Sequence, residues 1–326
     1  MTVRLTVQRA AWEAHMSAVA AAYGPGMVPV VKGNGYGFGR PLLHHLVHEL
    51  AGGALGTPGS VCVGSVHELH DVPADLTPMV LTPTLEAPTD TRAVLTVGNL
   101  RHVEALRDWH GSVMVKLASS MHRHGATRDE LPALLAAVNA AGLPAAAYAL
   151  HLPLAGSDDA RLAEIEAWLP LVPAGEPLWV SHLEPAAFHG LVLEHPDRTV
   201  RIRVGTALWH GRPRADFLHL DADVLHTRPV RAGEQAGYQL STVPFDGTLV
   251  VIGAGSSHGV SLLDGLDLSA GSPFHFAHAR VPLLERPHMH STIAVVPDGQ
   301  PCPAVGDRVD LQRPFITTAA DEVCWR

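Results

Sequence analysis

The chain has 326 residues, of which 47% are apolar and 17% are charged. That much apolar surface supports a globular core and excludes intrinsic disorder as the main state. The 23 basic and 32 acidic residues give a net charge of −9, which argues against a generic nucleic-acid-binding protein. No apolar leader starts the chain and no apolar run reaches about 18 residues, so neither a signal peptide nor a membrane span is expected. The three cysteines lack metal-type spacing and are too few for a disulfide framework, which favours a reducing, cytoplasmic location.

Short runs rich in Val, Leu and Ala alternate with helical patterns through the first two thirds of the chain. Within these runs apolar and polar residues do not alternate, as is typical of strands buried on both faces. The predicted strands are Val28–Val31, Val61–Gly64, Met79–Thr82, Ala93–Val97, Val113–Leu117, Ala146–Leu150, Leu178–Ser181 and Arg201–Val204. The helical patterns between them include Pro41–Ala51, Asp129–Ala141 and Asp158–Leu169. Eight strands that alternate with helices predict a (β/α)8 barrel. A doubly wound sheet is the alternative, but no G-x-G-x-x-G follows the first strand.

The C-terminal third of the chain has a different pattern. Strand-like runs are separated by turns that contain Gly or Pro, and no long helical period is present. The predicted strands here are Leu249–Ile252, His278–Leu283, Thr292–Val296 and Arg308–Leu311. We therefore predict an α/β protein of two domains, with the (β/α)8 TIM barrel over residues 1–225 and a C-terminal β-rich domain over residues 226–326.

The first predicted barrel strand ends in a lysine and a glycine-rich loop, Lys32-Gly-Asn-Gly-Tyr36-Gly-Phe-Gly39. A side chain at the C-terminal end of a barrel strand lies at the mouth where barrel active sites form. A buried lysine can lose its proton and bond to an aldehyde, and glycines let the backbone approach a ligand closely. The segment resembles the K-x-N-x-Y-G-x-G motif of the alanine racemase family, which are pyridoxal-phosphate enzymes of fold type III. The resemblance implies pyridoxal 5′-phosphate as cofactor, Lys32 as the residue bonded to it, and Tyr36 as a ligand of its phosphate.

Two further segments extend this resemblance in the same order along the chain. The stretch from Lys116 to Gly125 resembles the family's K-x-D-x-G-M-x-R-x-G, although the Asp and the first Gly of that pattern are replaced here. The resemblance implies that Arg123 lies by the phenolic oxygen of the cofactor and the substrate carboxylate, and the family lysine at the position of Lys116 is often carbamylated. The segment that ends in His151 resembles the family's T-H-F, whose histidine packs against the pyridine ring.

A third segment, Arg201 to Gly211, resembles the family's V-R-x-G-I-x-x-Y-G. The resemblance implies that Arg203 faces the pyridine nitrogen. It also implies that the backbone N–H groups of Gly205 and Thr206 bind the phosphate at the usual phosphate end of a barrel.

The C-terminal domain departs from the family pattern where the second catalytic base is expected. Racemisation removes a proton on one face of the α-carbon and returns one on the other, so Lys32 needs a partner base. The family's catalytic tyrosine corresponds to Thr242, whose hydroxyl is far too weak an acid for this role. Tyr238, the earlier tyrosine of the same segment, is present.

Histidines stand in this region instead, as His258 in S-S-H-G and as His288 and His290 in H-M-H-S-T. These segments resemble D-threonine aldolases and eukaryotic-type D-serine dehydratases, which share the fold and bind a divalent metal through an H-x-[C/D] pair. On a strand, His288 and His290 would share one face and would suit Zn²⁺ or Mn²⁺. A solvated histidine face is the alternative. His258 and His290 are also candidates for the proton-transfer residue that the missing tyrosine leaves open, because imidazole titrates near neutral pH.

The leading functional prediction is a pyridoxal-phosphate-dependent racemase that acts at the α-carbon of a small amino acid. Two alternatives stay open: a D-amino-acid dehydratase or aldolase, with or without a metal, and a cofactor-binding protein without racemase turnover. The resemblance also implies a homodimer with shared sites, in which the β-rich domain completes the barrel mouth of the partner. One of the three histidines would then lie near the partner subunit's Lys32. The sequence leaves open the substrate side chain and its stereochemistry.

Overall fold

The structure, a computed structural model, describes residues 2–52, 59–211, 216–263 and 266–326. By its internal contacts the chain divides into two compact units. The barrel unit comprises Ala14–Gly35 and Arg40–Arg212, and the β-rich unit comprises Met1–Glu13, Tyr36–Gly39 and Pro213–Arg326. No helix in the described part of the chain is long and apolar enough to cross a membrane.

The strands in chain order are β1 (Val3–Val7), β2 (Met27–Pro29), β3 (Ser60–Val63), β4 (Thr77–Val80), β5 (Val94–Val97), β6 (Val113–Leu117), β7 (Ala145–Leu150), β8 (Leu178–Ser181), β9 (Val200–Val204), β10 (Leu218–Val230), β11 (Gln235–Ala236), β12 (Ser241–Thr242), β13 (Gly247–Ile252), β14 (Phe274–Phe276), β15 (Ala279–Arg280), β16 (Thr292–Pro297), β17 (Arg308–Leu311) and β18 (Glu322–Trp325). The α-helices are α1 (Arg9–Tyr23), α2 (Arg40–Gly52), α3 (Leu100–Ala105), α4 (Leu131–Ala140), α5 (Asp158–Trp168), α6 (Pro185–Glu194) and α7 (Thr206–His210).

The barrel unit is a closed parallel sheet. Among the described residues, the seven strands β3 to β9 pair in chain order, and β9 also pairs with β2, which gives an eight-stranded sheet. The remaining gap between β2 and β3 is closed by a parallel bridge from Val30 to Cys62, supported by a hydrogen bond of 2.8 Å from Val31 N to Cys62 O. The predicted (β/α)8 barrel is confirmed, and each predicted barrel strand overlaps an observed one.

Apolar side chains fill the barrel interior. Successive side chains of a strand point to opposite faces, so every second residue faces the barrel axis. The interior cluster consists of Val28, Val30, Cys62, Met79, Val94, Met114, Ala147, Ala149 and Trp179. A filled interior leaves the mouth, at the C-terminal ends of the strands, as the place where polar side chains can gather.

The β-rich unit is a sheet built around β10, and it confirms the predicted β-rich domain after the barrel. Strand β10 pairs antiparallel with β1, β13 and β17 at different points of its length. Strand β1 also pairs in parallel with β18, so the two ends of the chain lie side by side in this sheet. A separate apolar cluster, made of Val230, Val243, Leu249, Leu284 and Val295, forms its core.

Two predictions about the β-rich unit are wrong. The strand expected at His278–Leu283 is limited to Ala279–Arg280, because His278 takes a positive φ of 65° in the turn before it and Pro282 offers no N–H for a ladder. His288 and His290 do not lie on a strand: the His288 N–H donates to Ser291 O at 2.9 Å within a turn, and β16 begins only at Thr292.

Candidate active site

Polar side chains follow the interior apolar residues at the ends of four barrel strands, and a glycine follows at a fifth. Two residues after an inward-facing residue, the next inward position falls at or just beyond the strand end. These positions hold Lys32 after Val30, Gly64 after Cys62, Lys116 after Met114, His151 after Ala149, and Ser181 after Trp179. The period of two therefore brings four polar side chains to one mouth, and three of them, Lys32, Lys116 and His151, were named in the sequence motifs.

The loop after β2 is held in place at the peptide of Gly33. Its N–H donates to Glu68 Oε1 at 3.1 Å, and its carbonyl accepts from Arg40 at 2.6 Å. Glu68 also binds the Gly64 N–H at 2.7 Å, while Arg40 is anchored by Asp71 at 2.8 Å. Both charged clamps come from segments packed beside the loop, so the backbone that carries Lys32 is fixed from two sides.

Glycines are required in this loop by its backbone conformation. Gly33 and Gly35 have φ values of 62° and 63°, the left-handed region in which a side chain is strained. Tyr36 adopts the same region, with φ of 57°, and is buried in the β-rich unit. The glycines of the motif thus stand where the backbone takes left-handed φ values.

Both lysines of the site have lowered pKa values. Lys32 is exposed at the mouth, yet the surrounding walls desolvate its ammonium form and lower its pKa, and the charges of Arg123 and Arg203 lower it further. Lys116 is only 5% exposed, and burial, followed by the charges of Arg203 and Arg123, holds its pKa well below the usual value. Cys62, an interior residue of β3, is fully buried, and burial raises the pKa of its thiol to about 12. A neutral amine is the reactive form toward an aldehyde.

Arg203 is a buried and fixed cation. Its side chain donates from Nη2 to Leu150 O at 2.7 Å and from Nε to Val180 O at 3.3 Å. These carbonyls belong to the last residue of β7 and the third residue of β8, so one guanidinium spans the ends of two neighbouring strands. Burial lowers the pKa of Arg203, although a guanidinium stays protonated across the physiological range.

His151 lies next to this cation and is kept neutral. Burial, followed by the charges of Arg203 and Lys116, lowers the pKa of His151 to about 2. Ser181 Oγ shares a hydrogen bond of 2.9 Å with His151 Nδ1 and accepts one of 3.2 Å from Leu152 N. The ring of His182 lies beside the ring of His151, with 5.0 Å between centroids.

The other predicted cofactor-site residues lie in loops at the strand ends. Arg123 is exposed in the segment after β6. Gly205 precedes α7 and its carbonyl accepts from Leu208 N at 2.9 Å, while Thr206 opens the helix and is exposed. The first N–H groups of a helix have no partner within it, so this turn offers donors. Trp209 anchors α7 to β2 by a hydrogen bond of 2.8 Å from Nε1 to Val30 O.

Three candidate histidines lie in the β-rich unit and differ in their contacts. His258 is buried, with Nδ1 accepting from Gly255 N at 3.1 Å and Nε2 lying 3.4 Å from Asp321 Oδ2. Asp321 in turn binds the N–H groups of Thr2 and Val3. Both ring nitrogens of His258 are thus engaged, Nδ1 with the local backbone and Nε2 with the carboxylate that joins the two chain ends. His290 is exposed, and its Nδ1 shares a hydrogen bond of 3.0 Å with Ser257 Oγ.

His288 has the setting of an acid–base group. Its Nε2 hydrogen-bonds Glu285, a carboxylate that is 2% exposed and that also accepts from the N–H groups of Tyr238 and Gln239. The Tyr238 ring stacks on His288 with 4.2 Å between centroids. His288 and His290 therefore face different partners. Within the described ranges, no group of three metal-ligating side chains includes either one.

Several residues that build the site escaped the sequence analysis, namely Arg40, Glu68, Ser181 and Glu285. The contacts of Ser181 with His151 and of Glu68 with Gly33 join residues 30 and 35 positions apart in sequence, and no local sequence pattern predicts such contacts. The composition also contains a signal for the two lysines of the site. Of the 23 basic residues of the chain, only Lys32 and Lys116 are lysines. Both lie at the ends of barrel strands, where an amine has a chemical use.

Comparison with known proteins agrees with this geometry. Residues 7–213 match the alanine racemase N-terminal domain family. No curated protein sequence matches the chain. Solved structures match the fold: an alanine racemase from Bartonella henselae with covalently bound pyridoxal phosphate is 18% identical, with a TM-score of 0.74 over 100% of both chains. An alanine racemase from Streptomyces lavendulae, a D-cycloserine producer, is 15% identical, with a TM-score of 0.72 over 100% of this chain and 97% of that one. The biosynthetic alanine racemase from Pseudomonas aeruginosa is 21% identical, with a TM-score of 0.66 over 100% of this chain and 99% of that one.

The resemblance inferred from the motifs is therefore confirmed at the level of the family and the fold. Because the match spans residues 7–213 of 326, the chain belongs to the alanine racemase N-terminal domain family.

Proposed function

We propose that the protein is a pyridoxal-phosphate-dependent racemase that acts at the α-carbon of a small amino acid. The observation that carries the proposal is the lysine pair at the barrel mouth. Lys32 lies three residues beyond β2. Burial lowers its pKa, and the charges of two guanidinium groups lower it further. In a chain with two lysines, a reactive amine in this position supports covalent capture of an aldehyde.

The residues at the mouth fit an anionic aldehyde cofactor. The charges of Arg123 and Arg203 lower the pKa values of Lys32 and Lys116, and the charge of Arg123 also lowers that of Arg203. Cys62 opposes all three shifts, and Glu68 opposes that of Lys32. Such an excess of cations suits a phosphate and a phenolic oxygen. Lys32 would hold the aldehyde carbon, and the N–H groups around Gly205 and Thr206 would bind the phosphate. His151 would pack on the ring, and Tyr36 would also bind the phosphate by analogy with the family motif.

Bound pyridoxal phosphate would supply an electron sink that acidifies the substrate α-hydrogen. The chain's own residues then determine the fate of that hydrogen. Lys32 Nζ would take or return the proton on one face, and Arg123 would bind the substrate carboxylate. Arg203 would face the pyridine nitrogen, and a fixed cation there disfavours protonation of that nitrogen. A weaker electron sink favours brief proton removal and return over bond cleavage elsewhere in the substrate.

The second face needs another proton donor, and we assign it to the β-rich unit of a partner subunit in a homodimer. His258, with both ring nitrogens engaged, is poorly suited to this role. His288 is better suited, because a buried carboxylate orients one nitrogen and leaves the other for proton transfer. The free thiols of Cys62, Cys302 and Cys324 support a cytoplasmic location.

The proposal is tested by incubating the purified protein and pyridoxal phosphate with D- and L-alanine or serine in deuterated water. Deuterium at the α-carbon together with inversion supports a racemase. Release of a keto acid or an aldehyde would instead assign a lyase, and cofactor binding without exchange would assign a carrier. Lys32→Arg is the matched control, because it keeps the charge at the strand end but cannot bond the aldehyde.

A further inference from the structure

Ser181 is a buried hydroxyl that no motif marks, and it connects two strand ends of the barrel mouth. It is the last residue of β8 and is 2% exposed. Its Oγ lies 2.9 Å from Nδ1 of His151, just beyond β7, and accepts the N–H of Leu152 at 3.2 Å. All of these groups belong to the barrel unit.

The contacts of Ser181 determine which nitrogen of His151 carries the proton. A serine hydroxyl has one hydrogen to donate and lone pairs to accept. The Leu152 N–H takes an acceptor position on Oγ, and the acceptor described within reach of the hydroxyl hydrogen is His151 Nδ1. If Nδ1 carried the proton, the buried hydroxyl hydrogen would lose this acceptor, which is an unfavourable arrangement. Nδ1 is thus the accepting nitrogen, and in a neutral imidazole the other nitrogen, Nε2, then carries the hydrogen.

Burial and the neighbouring charges disfavour the doubly protonated ring of His151. Burial contributes most, followed by the charges of Arg203, Lys116, His182 and Arg123. Arg203 also donates a hydrogen bond to the carbonyl of Leu150, the residue that precedes His151. The backbone and one ring nitrogen of His151 are therefore both fixed before any ligand binds.

We propose that Ser181 is a positioning residue that holds His151 as the neutral Nε2–H tautomer, so that the ring offers a hydrogen-bond donor at the barrel mouth. The functional consequence rests on the proposed function. A neutral donor can bind an oxygen of an anionic ligand without adding to the excess of positive charge around Arg203 and Lys116. Ser181 acts through His151 and is not itself assigned contact with a ligand.

The tautomer is measured directly by nitrogen-15 NMR of the full-length protein labelled at histidine, without added cofactor. The His151 resonances are assigned by their loss in His151→Gln. We expect one tautomer at neutral pH, with hydrogen on Nε2 and none on Nδ1. Ser181→Ala should move the Nδ1 resonance and mix the two tautomers, and Ser181→Thr, which keeps the hydroxyl, should restore the parent pattern. Ser272→Ala is the matched control, because Ser272 is a buried serine whose Oγ accepts from Phe274 N rather than contacting a histidine.

Hydrogen on Nδ1 in the parent protein would overturn the inference even if the Ser181 variants failed to fold. An unchanged His151 spectrum in folded Ser181→Ala would overturn it as well. A separate titration with pyridoxal phosphate tests the functional part, where Ser181→Ala should weaken binding about fivefold, the loss expected for one neutral hydrogen bond. If the parent binds no pyridoxal phosphate while His151 is the Nε2–H tautomer, the proposed function fails and the positioning role of Ser181 stands.

Discussion

His151 makes the folded protein sensitive to acid, and the size of the effect depends on its surroundings. Burial and the nearby charges of Arg203 and Lys116 lower its pKa from the usual 6.5 to about 2. Between these values the unfolded chain binds a proton that the folded chain does not. The free energy of unfolding therefore falls as the pH drops below about 6.5 and is unaffected above it. For one such proton the loss between pH 7 and pH 5 is about 2 kcal/mol.

The test is urea unfolding of the parent and of His151→Gln at pH 7 and pH 5. Glutamine keeps a polar group near Ser181 but has no titrating ring, so this variant should lose about 2 kcal/mol less than the parent over the same interval. His226→Gln is the matched control, because His226 is exposed on β10, and it should lose as much as the parent. A parallel loss in the parent and in His151→Gln would refute the claim that the folded state holds this ring neutral.

Three further predictions concern the remaining parts of the site. Glu68→Ala removes the carboxylate that binds the N–H groups of Gly33 and Gly64, so the free energy of unfolding should fall by about 1–3 kcal/mol in a urea titration; no change would mean that the loop needs no clamp. Arg203→Gln removes a positive charge that lowers the pKa of Lys32. The pH midpoint for acetylation of Lys32, measured by peptide mass spectrometry, should therefore rise. An unchanged midpoint would mean that the charge of Arg203 does not act on Lys32. His288→Asn should abolish α-deuterium exchange with one amino-acid enantiomer and leave exchange with the other, whereas equal exchange with both would move the second proton donor elsewhere.

The barrel strands were predictable because the pattern that marks them lies within a few consecutive residues. Each is a short apolar run bounded by loops, and each predicted run overlaps the observed strand. Lys32 could be named from its place at a strand end and its glycine-rich motif, and His151 from its resemblance to the family's T-H-F segment. Strand β1 was not predicted, because its partners are β10 and β18, more than 200 residues away along the chain.

The supporting contacts could not be predicted for the same physical reason. Ser181 reaches His151 because β8 lies beside β7, and Glu68 reaches the Gly33 N–H because the turn after β3 lies beside the loop after β2. For His288 and His290 a local pattern gave a wrong prediction. Their spacing of two suggested that they share one face of a strand. Pro287 and the turn closed by His288 and Ser291 send their side chains to different partners.

The most direct test of the central claim is to trap the cofactor on the protein. Borohydride reduction of the protein loaded with pyridoxal phosphate would fix the bond to the amine, and peptide mass spectrometry would locate it. The two candidate amines are easily distinguished, because Lys32 and Lys116 are the two lysines of the chain and tryptic peptides separate them. We predict a phosphopyridoxyl group on Lys32 and its loss in Lys32→Arg. Modification of Lys116 or of the amino terminus, with Lys32 untouched, would contradict the assignment of Lys32 as the residue that binds the cofactor.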